Sequence, residues 1–526
     1  MATKARAAVW SILVALLLAA PIGAQRFPTD NPVLRAIWEE GTTRGQTWSL
    51  AQTLMDSIGP RLTGTPGQEA AADWVIRKYT EWGIDARNET YGTWRGWRRG
   101  VTHVDLLEPR VRSLEAMMLA WSPGSGGMRT GEAIVPPEFG SATDFEAWLT
   151  QVEGKFVMLS APQPTCRPDD NWEEFGTESS FEALREGRTN AQSAWAQNLG
   201  RSGITASPRA LTGAIAVAVE EAGAAGVITS RWSNGWGVQK IFGASTNRIP
   251  TIDVSCEDYG LVYRLAHRGQ GPILRVHADA EFTGTVPVAN TIAMIRGSEL
   301  PDEYVVLSAH FDSWDGGSGA TDNGTGTITM LEAMRILSKV YPQPKRTIIV
   351  GHWNGEEQGL NGSRSFAVDH PEVVAGLQTL FNQDNGTGRV VSISMQGLIG
   401  AGAYFADWLS QIPSEISQRI KLNVPGNPGG GGSDYASFIC AGAPAFSLSS
   451  LRWEYGTYTW HTNRDTFDKV VIDDLRNNAI LTAMLVYLAS EEPDRMPRDR
   501  RTQLFDARSG RESTWPTCRD GARSFR

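Results

Sequence analysis

Three runs, "EYVVLSAH" (303–310), "RTIIVGHW" (346–353) and "LQTLFNQ" (377–383), are apolar at successive positions rather than at every second one. A strand with one buried face alternates; a strand buried on both faces does not. Between the first two stands "TGTITMLEAMRILSKVY" (325–341), a helix apolar on most of its circumference, and "SRSFAVDH" opens another before the third. "APAFSLSS" (443–450) adds a strand and "NNAILTAMLVYLASEE" (477–492) a long helix. Continuous strands alternating with helices predict an α/β fold, with a mainly parallel sheet flanked by helices. Sites in such sheets lie beyond the carboxyl ends of the strands.

The rest of the chain divides around this block. In "GPRLTGTPGQEAAADWVIRKYTEWGID" the apolar positions Ala71, Val75 and Tyr79 predict an amphipathic helix closed by Gly83. From about 120 to 285 the texture changes: "GKFVMLS" (154–160) and "RIPTIDVS" read as strands, and "LTGAIAVAVEEAGAAGVITS" (211–230) as a helix followed by a strand. Loops of that length are rare inside domains, so 120–285 is read as a compact α/β insert. Residues 25–119 and 286–493 then form the two parts of one domain, and 494–526, with nine arginines, a loosely ordered tail.

A formal charge of −9 argues against a nucleic-acid binder, which would present a basic face. The first residues, "MATKARAAVWSILVALLLAAPIGAQRF", have two cations, an apolar run and small residues up to Ala24, the three-part pattern of a secretory signal peptide over 1–24. No later segment offers about 20 uninterrupted apolar residues. The expected product is exported, secreted or periplasmic, and not integral to a membrane. Cys166, Cys256, Cys440 and Cys518 include no CxxC pair; in an exported chain they allow one or two disulfides, with three complete pairings open.

The chemistry lies just past the end of each strand. "VVLSA" runs into His310-Phe311-Asp312, with Asp322 farther on in "GATDNGTG"; "TIIVGHWNG" runs into Glu356-Glu357; "LQTLFNQ" into Asp384; and "YTWHTNRDT" supplies His461 and Asp465. Singly each has an ordinary reading, since HxD is common, a glycine turn often opens a helix, and a Glu-Glu pair is usually solvated surface. Jointly, imidazoles and carboxylates at separate strand ends are what divalent ions require. Two ions close together need a carboxylate between them, and Asp322 is placed to be shared. Glu356 is left over as a base able to take a proton from water and pass it to a leaving amine. Asp312 is positioned to orient His310.

These motifs, "HFDSWDGGSGATDNGTG", "NGEEQGLNGS", "DNGTG" and "HTNRDT", resemble in order and spacing the co-catalytic zinc exopeptidases of the aminopeptidase Y, glutamate carboxypeptidase and carboxypeptidase Q type. The resemblance implies a zinc exopeptidase fold with two zinc ions per chain. His310, Asp322 and Asp384 would hold one ion and Asp322, Glu357 and His461 the other, with Glu356 as general base and Asp312 as support. It implies an insert like the protease-associated domain of several members, and peptides or dipeptides as substrates. "SWDGGSGATDNGTG" and "GPRLTGTPG" are nearest the carboxypeptidase Q form, whereas Trp460-His461-Thr462 is nearer the aminopeptidase form. Arg452, Tyr458 and Trp460 are candidates for holding a substrate terminus. A carboxypeptidase or dipeptidase is the first reading and an aminopeptidase the alternative. A single-zinc acyltransferase of the glutaminyl cyclase kind or an inactive receptor-like binding protein comes behind them, and a homodimer is left open.

Overall fold

A computed structural model describes residues 27–505 and 510–525; the expected signal peptide, 1–24, lies outside the described residues. Fourteen strands form one sheet. In chain order they are β1 (Asp85–Glu108), β2 (Arg112–Leu114), β3 (Ala116–Met118), β4 (Arg129–Ile134), β5 (Phe156–Met158), β6 (Gly226–Thr229), β7 (Thr251–Val254), β8 (Ile273–Ile295), β9 (Leu300–His310), β10 (Arg346–Trp353), β11 (Leu377–Asn382), β12 (Val390–Ser394), β13 (Lys421–Asn423) and β14 (Ala445–Ser450). Across the sheet they run β13-β12-β14-β11-β9-β10-β8-β4-β5-β6-β7-β3, with β1 laid along β8 and β2 on β1.

The runs without alternation are the parallel centre: β14, β11, β9 and β10 pair parallel to one another. Every residue of β10 and β11 is buried, as strands covered on both faces must be. The helix Ile472–Glu491 is buried along nearly its whole length and packs on Thr325–Val340; apolar residues all round leave it no solvent face. The predicted helix at 66–81 is present, entered through Thr65, whose hydroxyl accepts from Gln68 N, with Pro66 in its first turn; Gly83, at φ +74°, lets the chain leave.

β8 belongs to both halves of the molecule. Its end pairs antiparallel with β10 (Ile295 opposite Ile348), and its start pairs with β4 (Val276 opposite Arg129). Hydrogen bonding is therefore continuous from the parallel centre into the 120–285 segment, where β4 to β7 pair parallel. β1 runs antiparallel to β8 over its whole length with four register shifts. Glycines and polar residues interrupt its alternation, which is why periodicity did not reveal it.

Both disulfides form, Cys166–Cys256 and Cys440–Cys518. The tail corrects the sequence reading. Residues 495–501 donate arginine hydrogen bonds to main-chain carbonyls, Arg498 to those of Val374, Ala375 and Leu377, and residues 510–525 run along the surface, pinned by Cys518. Polar composition concealed this because backbone acceptors, not apolar periodicity, hold the segment. Among the described residues no helix is long and apolar enough to cross a membrane.

Candidate metal centre

The parallel strands deliver the side chains expected of them. His310 is the last residue of β9. β10 runs into a turn at Gly355, φ +76°, which presents Glu356 and Glu357, and Asp384 comes just after β11. Asp322 lies in the tight turn Ala320–Gly324, entered through Gly319 at φ +60°. Buried Arg61 locks these loops together by donating to the carbonyls of Phe311 (2.8 Å), Gly59 (3.1 Å), Ser318 (2.9 Å) and Gly319 (2.8 Å). From the far loop, the Asp465 carboxylate accepts from the amides of Thr321 (2.8 Å) and Asp322 (3.0 Å).

The two triads assemble. His310 Nε2 stands 3.1 Å from Asp384 Oδ1 and 3.4 Å from Asp322 Oδ1. His461 Nε2 stands 2.9 Å from Glu357 Oε2 and 3.3 Å from Asp322 Oδ2. Asp322 thus turns one oxygen to each histidine. Within each triad the donor atoms lie within 4.8 Å of one another. His461 adopts φ +58°, a backbone state that costs a non-glycine residue roughly 1–3 kcal/mol. Its surroundings impose it: Ile241 N donates to its carbonyl at 2.7 Å, Trp460 stacks on the ring at 3.9 Å, and the Phe242 edge meets it at 5.1 Å.

Glu356 and Glu357 diverge as neighbours on a turn do. Burial pushes both carboxyls well above the usual range; for Glu356 the charges of Asp384, Asp434 and Glu357 add to it, for Glu357 those of Asp322, Asp312 and Asp384, while His310 opposes the rise in each. Burial would raise Asp322 too, but hydrogen bonding to His310 and the charges of His461 and His310 carry it below the ordinary value. Asp434 and Asp465 are each pushed up to about 7 by burial. Buried acceptors remain without a protein donor, among them Asp322 Oδ2 and Glu357 Oε1. An uncompensated buried carboxylate costs several kcal/mol, so this acid-rich set suits cations. Its donors, two imidazoles and three carboxylates with one shared, fit a pair of divalent ions.

One placement differs from the sequence reading. The carboxylate of Asp312 does not orient His310: His310 Nδ1 is bonded to the Asp312 backbone carbonyl at 2.9 Å, while the carboxylate accepts the amides of Glu356 (3.1 Å) and Glu357 (3.2 Å). It holds the glutamate turn instead, because β9 and β10 end side by side. Arg452 and Tyr458 line a cavity of about 420 Å³ that shares Thr321 and Tyr455 with the walls of the site but includes none of the ligand residues. Trp460 lies outside that cavity, stacked on His461, with Lys240 Nζ 4.2 Å over its ring.

Sequence reasoning missed Arg61 and Tyr455. Tyr455 is half-buried with its hydroxyl toward Asp322. Asp434 is buried in the "GGGGSDY" loop with no well-formed hydrogen bond to either oxygen, the Ser363 hydroxyl only partly offsetting its burial. The arginine inside "GPRLTG" was the available signal.

Residues 290–486 match the model of Peptidase family M28. That segment contains all five residues of the two triads and Glu356. Carboxypeptidase Q of Mus musculus is 24% identical over 460 residues, 87% of this chain and 88% of that one. A Peptidase M28 precursor from Shewanella amazonensis superposes with TM-score 0.63 at 22% identity, covering 88% of this chain and 97% of that one. A zinc aminopeptidase from Bacillus subtilis superposes with TM-score 0.53 at 19% identity, covering 85% and 94%. The chain is a metallopeptidase, and its mixed α/β fold with a large, mainly parallel sheet is shared with these structures.

Proposed function

We propose that the chain is an exported, two-zinc exopeptidase that cleaves short peptides or dipeptides, as a carboxypeptidase of the carboxypeptidase Q kind. The observation that carries it is the shared carboxylate: Asp322 faces His310 with one oxygen and His461 with the other, so one donor set suits two ions. This favours two ions over the single ion of a glutaminyl cyclase-like acyltransferase. A complete ligand set with a spare glutamate favours an enzyme over an inactive binding protein. His310, Asp322 and Asp384 would hold one ion and Asp322, Glu357 and His461 the other. Bound there, zinc supplies Lewis acidity that polarises a scissile carbonyl and lowers the pKa of water.

The remaining work belongs to the chain. Glu356, the carboxylate left outside both triads, accepts a proton from the attacking water and returns it to the leaving amine. Asp312 keeps Glu356 and Glu357 on opposite tasks by holding both amides, and Asp465 fixes the Asp322 turn. Arg452 and Tyr458, in the adjoining cavity, and Trp460, beside His461, are proposed to contact the substrate. Likeness to carboxypeptidase Q over 87% of the chain supports the first specificity; the Trp460-His461-Thr462 sequence favours the aminopeptidase as the second reading. The leader pattern and two disulfides support export.

A panel of free, N-blocked and C-blocked dipeptides, assayed with and without chelator, tests the proposal. Hydrolysis of N-blocked but not C-blocked dipeptides, abolished by chelator and restored by zinc, is expected. The reverse selectivity assigns the aminopeptidase, and no hydrolysis of any member overturns the function.

A further inference from the structure

Residues 510–525 are mostly exposed, and beyond the packing of Trp515 against the core and of Phe525 against Trp94 little hydrophobic burial keeps them to the surface of the domain. Specific anchors do. Cys518 is bridged to Cys440, just beyond the Asp434 loop, and Trp515 Nε1 donates to the Ile439 carbonyl at 2.9 Å. Farther along, Ala522 N donates to Asn361 Oδ1 at 2.8 Å. The Arg523 carbonyl accepts from Thr93 N at 2.9 Å, and its guanidinium reaches the Tyr91 carbonyl at 3.2 Å.

Both contacts lead to the glutamate turn. Asn361 N donates to the Gly355 carbonyl at 3.0 Å, and Leu360 N to that of Glu356 at 2.9 Å. On the other side the Tyr91 hydroxyl donates to the Asn354 carbonyl at 2.9 Å. Two consecutive residues of the tail therefore brace both shoulders of the segment that presents Glu356 and Glu357. Two glycines record how close the fit is. A Cβ on Gly521 would stand 2.3 Å from the Asn361 carbonyl, and one on Gly92 would stand 2.2 Å from that of Arg523. In each case the obstacle is backbone, which cannot swing aside.

We propose that residues 510–525 are a positioning strap for the Gly355–Glu357 turn, kept in place by the Cys440–Cys518 disulfide, so that reducing this bond loosens the turn. The hydrogen bonds at Asn361, Thr93 and Tyr91 are each weak on their own. They persist because the bridge at Cys518 leaves a short segment to close, which raises the effective concentration of Ala522 and Arg523 at their partners. Cys518 is exposed, so the bond is open to a reductant. Two electrons from a phosphine, which leaves as its oxide carrying the oxygen of a water molecule, convert the disulfide into two thiols. The inference rests on the roles proposed for Glu356 and Glu357.

The test uses the zinc-loaded full chain, its Cys440→Ser/Cys518→Ser variant, and Gly521→Val, in which the disulfide is intact and the strap is pushed off Asn361. Dipeptide hydrolysis gives kcat and KM, and a colorimetric chelator gives the rate of zinc release. Both variants should show kcat lowered about tenfold with KM within about twofold, and faster zinc release, because a loosened turn misplaces Glu356 and Glu357 together. Phosphine should change the wild type in the same way and leave the serine variant unaffected, which separates this bridge from Cys166–Cys256 and from metal loss to the reductant. Wild-type kcat and zinc release in both variants overturn the strap. If the wild type hydrolyses no peptide, the proposed function falls, while zinc release still reports on the strap.

Discussion

Two regions of one sheet spend buried carboxylates in opposite ways. In the half built from β4 to β7, Asp253 is fully buried, yet its oxygens are used by the Thr229 hydroxyl (2.8 Å), Arg231 N (2.9 Å) and Gln239 Nε2 (3.3 Å). In the parallel half, Asp322 and Glu357 are as deeply placed, and Asp322 Oδ2 and Glu357 Oε1 make no well-formed hydrogen bond. Strand chemistry is the same in both, apolar runs leading into loops. A buried acid with a full set of donors is architecture, whereas several left short of donors around two histidines make a set suited to an external cation.

The contrast is broken most strongly at the glutamate pair. Glu356→Gln should lower kcat by about 10²- to 10⁴-fold while zinc content stays at the wild-type level, since the amide removes the base and no ligand. Glu357→Gln should lower zinc content and activity together, as measured by atomic emission. Retention of full zinc by the second variant would erase the distinction between the two residues. Next in size is Asp312→Ala, which releases two amides of the turn and should weaken zinc affinity about 10- to 100-fold in chelator competition, with the fold unchanged by circular dichroism.

The smallest effect tests the satisfied half. Burial raises the Asp253 pKa from 3.8 to about 6, against the opposing hydrogen bonds. Because the folded value lies above the unfolded one, the stabilisation that protonation provides is complete below the unfolded value and is lost as pH rises through about 6. The wild type should therefore lose on the order of 2 kcal/mol between pH 4 and pH 7 that Asp253→Asn does not lose, read as the difference in their urea midpoints. Parallel pH profiles for the two proteins would place Asp253 in a more polar setting than its donors indicate.

The residues of the two triads were legible because parallel strands carry a strong local signal and end where sites must be. His310, Glu357 and Asp384 could each be found by reading past an apolar run, and Asp322 and His461 by their loops. What the supporting residues hold was not legible, since their partners are distant in sequence. Arg61 acts on carbonyls of residues 311, 318 and 319, and Asp465 on amides of 321 and 322. β1 escaped notice because its alternation is broken by the glycines its register shifts accommodate. The tail looked unstructured because main-chain hydrogen bonds and one disulfide leave no periodic trace in composition.

From its sequence alone this chain declares an α/β sheet, the order of its buried strands and the acids and histidines at their ends, because burial on both faces of a strand is written in consecutive residues. Only the tertiary structure decided which oxygen of Asp322 faces which histidine, that Asp312 holds the glutamate turn rather than His310, and that the C-terminus reaches back to brace that turn. Those are contacts between segments far apart in the chain, and they are set by packing of the whole molecule.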